Sequence, residues 1–260
     1  MGRVVVICFL LAAAVGARGR ELPAAAEVLT RVQERMEKVY AESVTNRFEY
    51  RRTNIIEELD GSGKLRDRTV KAYEVIQMQG LPRAKLVAVD GRALSASEQK
   101  WRVAEEQRLQ KTLAGDKAPD YSKPKPWVNE DMLARFDFKV TGRTNYLRRQ
   151  MLILEFTPKK DAPSRGMADR IINKVSGAIW VDESESEIAR LDLRITESVK
   201  FWGGILGQLD RFNFTMLRRP SPQGIWFNES SDGMVQIRKL FTSTKYKISE
   251  QAYAFDRARS

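Results

Sequence analysis

Residues 188–195 read Ile-Ala-Arg-Leu-Asp-Leu-Arg-Ile, with apolar and charged side chains in alternation. Ala189, Leu191, Leu193 and Ile195 fall on one face, and Arg190, Asp192 and Arg194 on the other. A period of two is that of a half-buried antiparallel strand; a helix would scatter the same set around its axis. The preceding run, Gly177-Ala178-Ile179-Trp180-Val181-Asp182, is β-branched and aromatic. Between them lies the polar stretch Glu183 to Glu187, so the two runs predict a hairpin with a loop of about five residues. Downstream comes an apolar, glycine-rich loop, Phe201-Trp202-Gly203-Gly204-Ile205-Leu206-Gly207, and then a further strand over Leu209 to Met216. A chain built around such hairpins is committed to an antiparallel sheet with one solvated face.

The remaining segments extend that sheet. Glu21 to Val44 carries Val28, Leu29, Val32, Met36, Val39 and Tyr40 at spacings of three and four, which predicts an amphipathic helix covering it. Strands are predicted over Thr45 to Leu59, Lys64 to Gln79 and Arg83 to Val89, the first two joined at Asp60-Gly61-Ser62-Gly63. A second helix, Ser95 to Leu113, opens on a Ser-x-x-Glu capping box at Ser95 and Glu98. It leads into a loop carrying Pro119, Pro124 and Pro126, and then a short helix over Trp127 to Phe136 capped by Asn129. Phe136 to Thr144 and Arg149 to Thr157 form another hairpin, whose Met151 to Phe156 run is apolar on both faces and reads as central. Met167 to Lys174 supplies a helical turn or two. Leu209 to Leu217, Gly224 to Asn228, Met234 to Phe241 and Thr242 to Phe255 complete the sheet. No repeat or long linker divides the chain, so residues 18–260 are expected to form a single domain with a helical, proline-rich insert at about 95–135.

Met1 to Ala17 has the form of a secretory signal peptide. Arg3 is its positive start, Val4 to Val15 its apolar run, and Val15-Gly16-Ala17 its cleavage site. The run is too short to span a bilayer. The expected location is therefore periplasmic or secreted. The one cysteine, Cys8, lies inside the signal, so a mature chain would have no thiol chemistry and no disulfide. There is no histidine, which removes histidine bases, Ser-His-Asp triads and the usual zinc sites. No cofactor or metal is called for. The net charge of +11 is spread along the chain among acidic residues, which argues for a solvated basic surface and no nucleic acid partner.

A signal peptide, an amphipathic helix and then long antiparallel strands resemble the LolA/LolB-type lipoprotein carriers. The Gly177 to Asp182 and Ile188 to Leu191 strand pair is similar to one in that superfamily, and Leu86-Val87-Ala88-Val89-Asp90-Gly91 resembles its lipoprotein-sorting relatives. The resemblance implies an α+β, mainly β fold. In it an incomplete, strongly curved antiparallel β-barrel wraps round one or more helices and encloses an apolar cavity. It implies carriage of acyl chains in the periplasm. The helix at Ser95 to Leu113 and the insert after it depart from that pattern.

Function is then expected to be binding of a lipid or acylated protein by a monomer, with transient contact to a membrane surface. Two alternatives stand beside it: an envelope adaptor or sensor for another protein, and a hydrolase using paired carboxylates. The acidic clusters Glu57-Glu58, Glu105-Glu106 and Glu183 to Glu187 fall in turns or on charged helix faces, where solvated carboxylates are the norm. The expected ligand or membrane contacts are Phe201, Trp202, Ile205 and Leu206 in the glycine-rich loop, Trp180 in its strand, and Met36 on the first helix. For the loop, core packing is the competing fate, but Gly203, Gly204 and Gly207 suit a mobile lip better than a core strand.

Overall fold

The structure is a computed structural model that describes residues 21–42, 48–78, 81–114, 128–201, 207–239 and 242–257. Among the described residues there are four helices: α1 (Ala25–Ala41), α2 (Ala96–Ala114), α3 (Glu130–Arg135) and α4 (Met167–Ile172). The strands are β1 (Phe48–Leu59), β2 (Leu65–Met78), β3 (Leu81–Val89), β4 (Arg92–Ala93), β5 (Phe136–Tyr146), β6 (Arg149–Pro158), β7 (Val175–Asp182), β8 (Ile188–Ile195), β9 (Val199–Phe201), β10 (Gly207–Pro220), β11 (Trp226–Lys239) and β12 (Thr242–Arg257). They make one antiparallel sheet in the order β4-β3-β2-β1-β12-β11-β10-β8-β7-β6-β5, with β9 beside β10. The sheet is not closed, since its end strands β4 and β5 do not pair with one another. Its longest-range seam joins the first strand to the last, Arg52 opposite Ala252 and Ile56 opposite Ile248.

Alternation decides the two faces from Leu191 onward, but a register shift between Trp180 and Val181 breaks it at the start of β8: Ile188 joins Leu191 on the helix face, and Ala189, expected there, packs on the other. On one face, α1 lays Val28, Leu29 and Val32 onto Leu152 and Leu154 of β6, Ile179 and Val181 of β7 and Leu191 of β8. The aromatic group Phe136, Phe138 and Phe156 closes this core at one end, the last two with ring centroids 5.8 Å apart. On the other face a smaller cluster joins Met151, Ala189 and Trp226, with Tyr146 and Trp180 against it. Met151 to Phe156 is thus apolar on both sides because both sides are covered, although β6 is the second strand from the end and not a central one. The predicted break between Gly224–Asn228 and Met234–Phe241 does not exist. Glu229 to Gly233 continues β11, because it is paired on both edges, Ser231 with Met216 and with Glu250. Ladder pairing here overrides weak local strand propensity.

Caps fall where the sequence places them. Ser95 N–H and hydroxyl both donate to Glu98, at 2.7 Å each, and start α2. Met132 N–H donates to Asn129 Oδ1 at 3.1 Å and starts α3, which is shorter than the predicted Trp127 to Phe136. Among the described residues, no helix is long and apolar enough to cross a membrane.

Candidate functional site

The loop between β7 and β8 is where the sequence reading fails most clearly. Glu187 is not solvated but 5% exposed. Arg35 of α1 donates to its Oε1 at 2.8 Å, and Arg218 of β10 donates to its Oε2 at 3.0 Å. One carboxylate thereby ties the helix to the sheet. Arg218 also donates to the carbonyls of Ile188 and Trp226, at 3.0 and 3.1 Å. Glu183 is likewise engaged, accepting from Arg143 at 3.1 Å. Asp182, 1% exposed, accepts from Arg149 Nε, from the Ser184 N–H and hydroxyl, and from the Glu185 N–H. Burial alone would raise its carboxyl, but these donors outweigh burial and hold it below the usual range. Glu185 accepts from the Trp226 indole at 2.8 Å and pairs with Arg149.

Next to this clasp lies a cleft of about 230 Å³. Its walls come from the start of β1, the end of β12, the start of β11 and the end of β10. Phe48, Tyr50, Trp226, Phe227 and Phe255 make it aromatic; Arg52, Arg218 and Glu250 are its charged residues. Phe255 is the hub, stacked on Tyr50 with centroids 4.9 Å apart and tilted against Phe227 at 3.8 Å. Sheet register places it on the helix side. Phe214, packed on the α1 core, faces Gly233; Gly233 faces Ile248, and Ile248 faces Ile56. Arg52 and Tyr50 follow Ile56 at even spacing on the same face. Ile56, Val235 and Ile248 continue the cleft along that face, with Ile248 42% exposed.

Arg52 governs the electrostatics. Its Nη1 lies 3.6 Å from Glu250 and its guanidinium 5.0 Å over the Tyr73 ring, while its Nε has no hydrogen-bond partner. Burial raises the phenols of Tyr50 and Tyr73, opposed by the Arg52 charge and aided by Glu250. The arrangement offers apolar surface with one under-used cation. Among the described residues, no group of three acidic, histidine or cysteine side chains is placed to hold a metal ion.

Of the described residues predicted from sequence, Met36 and Trp180 lie on opposite faces of the sheet. Met36 is half-buried against the α1 core. Trp180 packs on the opposite face, edge-on to Tyr146 at 6.3 Å and beneath the Arg190 guanidinium at 4.8 Å. Phe201 is half-buried in β9 and pairs with Gly207. Trp202, Ile205 and Leu206 lie outside the described residues, as does the predicted signal at 1–17. Gly207 takes φ 130°, and a Cβ on it would meet the Arg238 carbonyl at 2.9 Å, so the loop exit requires glycine. That exit is at the far end of β10 from Arg218. The cleft itself was missed. Only the alternation of Phe48 and Tyr50 hinted at it, because its other walls come from strands distant in sequence.

Comparison with protein families and with curated proteins finds no match. Solved structures similar to this chain include a DUF1329 family protein from Desulfovibrio piger, at 10% identity and TM-score 0.34, covering 91% of this chain and 94% of that one. An outer membrane lipoprotein-sorting protein domain from Vibrio parahaemolyticus matches at 9% identity and TM-score 0.33, over 89% and 92% of the two chains. A LolA superfamily protein from Nitrosomonas europaea matches at 8% identity and TM-score 0.28, over 92% and 95%. Likeness of this degree concerns the fold alone.

Proposed function

We propose that this protein is a binding or carrier protein for the acyl chain of a lipid or of a lipid-modified protein, exported to the bacterial cell envelope. The observation that carries the reading is the aromatic cleft on the helix side of the sheet, continued by the exposed apolar stripe through Ile248. Phe48, Tyr50, Phe227 and Phe255, all half-buried around one partly open cleft, exceed what a monomer gains by leaving them near water. At about 230 Å³ the cleft is below the ~300–1,000 Å³ of pockets that enclose a drug-sized ligand, so it takes one end of a chain and the stripe takes the rest. The export assignment rests on residues 1–17, and N-terminal sequencing of the secreted protein tests it. The apolar loop at 201–207 is assigned to a second contact at the opposite end of β10.

Native mass spectrometry of the purified protein, followed by displacement of a fluorescent fatty acid, tests the reading. Phe255→Ser removes the hub of the aromatic wall and is expected to weaken binding by about tenfold or more. Absence of any bound or displaceable amphiphile, or unchanged affinity in Phe255→Ser, overturns it and leaves the envelope adaptor as the better reading.

A further inference from the structure

The cleft is aromatic but not neutral, and the distribution of its charges narrows what it can hold. Of its two arginines, Arg218 is fully employed: it bonds Glu187 and the carbonyls of Ile188 and Trp226. Glu185, behind the Trp226 indole, is bonded to that indole and paired with Arg149. Arg52 is different. Its distance of 3.6 Å to Glu250 is too long for a hydrogen bond, its Nε finds no partner, and its charge lies over the Tyr73 ring in a half-buried position. A guanidinium carries five donors in a planar fork matched to an oxyanion, and here that fork stands at the mouth of an apolar wall.

Resting on the acyl-binding reading above, we propose that the cleft recognises single-chain amphiphiles with an anionic head. The carboxylate or phosphate sits on Arg52 and the chain runs along the stacked rings of Tyr50, Phe255 and Phe227. Arg52 is the specificity determinant, and the aromatics supply affinity without regard to the head. Glu250 opposes the anion weakly, which keeps the site from retaining small anions that lack a chain. The ligand therefore belongs to the free fatty acids and lysophospholipids in its chemistry, as against neutral glycolipids or detergents.

Isothermal titration of the whole protein with dodecanoate, dodecyl phosphate, dodecyl maltoside and inorganic phosphate tests this, with thermal melting to show that each variant is folded. Wild type is expected to bind both anionic amphiphiles about tenfold tighter than the maltoside. It should bind inorganic phosphate far more weakly than either. Arg52→Gln should abolish the preference while leaving maltoside binding unchanged, and Arg52→Lys should keep part of it. Equal wild-type affinity for all three amphiphiles overturns the head-group assignment while leaving acyl binding standing. So does an equal loss for all three in Arg52→Gln. Phosphate binding as tight as dodecyl phosphate overturns it as well, showing an anion site indifferent to the chain. If none of the amphiphiles binds, this inference falls together with the reading on which it rests.

Discussion

Removing the Glu187 carboxylate should loosen α1 from the sheet. Glu187 is 6% exposed at its side chain and accepts from two guanidiniums that are 28% and 17% exposed, Arg35 and Arg218. Deleting one partner of a buried ion pair costs about 3–5 kcal/mol, because the surviving charge is left without its counter-ion. Here both survivors have partial relief. Arg35 lies near enough to solvent to rehydrate, and Arg218 keeps two carbonyl acceptors. The lower end of the range therefore applies, and Glu187→Ala should lose about 3 kcal/mol. In a domain of this size each kcal/mol moves Tm by roughly 2–4 °C, giving a drop of roughly 6–12 °C. Arg35→Ala, at a wetter position, should cost about 1 kcal/mol. Glu187→Gln retains one acceptor oxygen and should fall between.

Urea unfolding monitored by tryptophan fluorescence measures each loss, and a cycle with Arg35→Ala and Glu187→Ala isolates the helix-to-sheet coupling. Contact pairs of this kind show coupling of about 0.5–3 kcal/mol. Hydrogen exchange adds a local readout, since the apolar contacts of Ala25, Val28, Leu29, Val32 and Met36 must then hold α1. A Glu187→Ala protein within about 0.5 kcal/mol of wild type, with unchanged exchange in α1, would refute the clasp. The stability of the helix would then reside entirely in apolar packing.

Two other perturbations have defined outcomes. A Cβ at Gly177 would collide with the Asp192 carbonyl oxygen and lie 2.9 Å from the Phe156 ring. Gly177→Ala must therefore push β7 away from β8, at a cost of about 3 kcal/mol by overpacking, and a stability loss below about 1 kcal/mol would show that the strands do not approach as described. Asp182 gives a pH signature. Its carboxyl is held low in the fold, so its contribution is fully present above the unfolded value near ~3.9 and is lost as pH falls through the lower folded value. Stability measured by denaturation from pH 5 downward should decline less steeply in Asp182→Asn than in wild type; parallel profiles would sink the assignment.

What the sequence made legible is what local chemistry decides. The alternation at 188–195 set the strand and, from Leu191 onward, its buried face, the Ser95-x-x-Glu98 box set the start of α2, and Asn129 capped α3. The resemblance in architecture indicated the open antiparallel sheet. Pairings between distant segments were not legible. Nothing in Phe48 to Leu59 says that it will lie beside Thr242 to Arg257, yet that seam builds half of the cleft. The β5–β6 hairpin was legible from its strands alone, since its turn residues Leu147 and Arg148 both take positive φ, near 52° and 62°, without a glycine or asparagine to announce it. Solvation of Glu187 was misread for a related reason. An acidic turn looks exposed until the partners that bury it, Arg35 and Arg218, arrive from 152 and 31 residues away.

Those two arginines also explain why the helix and the cleft belong to one unit. Arg218 lines the cleft and at the same time supplies half of the Glu187 clasp. Its third contact, to the Trp226 carbonyl, fixes the strand end whose indole forms a wall of the cleft. While Glu187 is bonded, the Arg218 charge is spent on the clasp, and the cleft's other cation is Arg52, 3.6 Å from Glu250. If α1 were displaced, Arg35 would leave with it, and Glu187 would remain on Arg218 alone. The Arg218–Glu187–Trp226 junction thus joins the clasp on α1 to the strand end at the cleft, while Val28, Leu29 and Val32 seat the same helix in the main core.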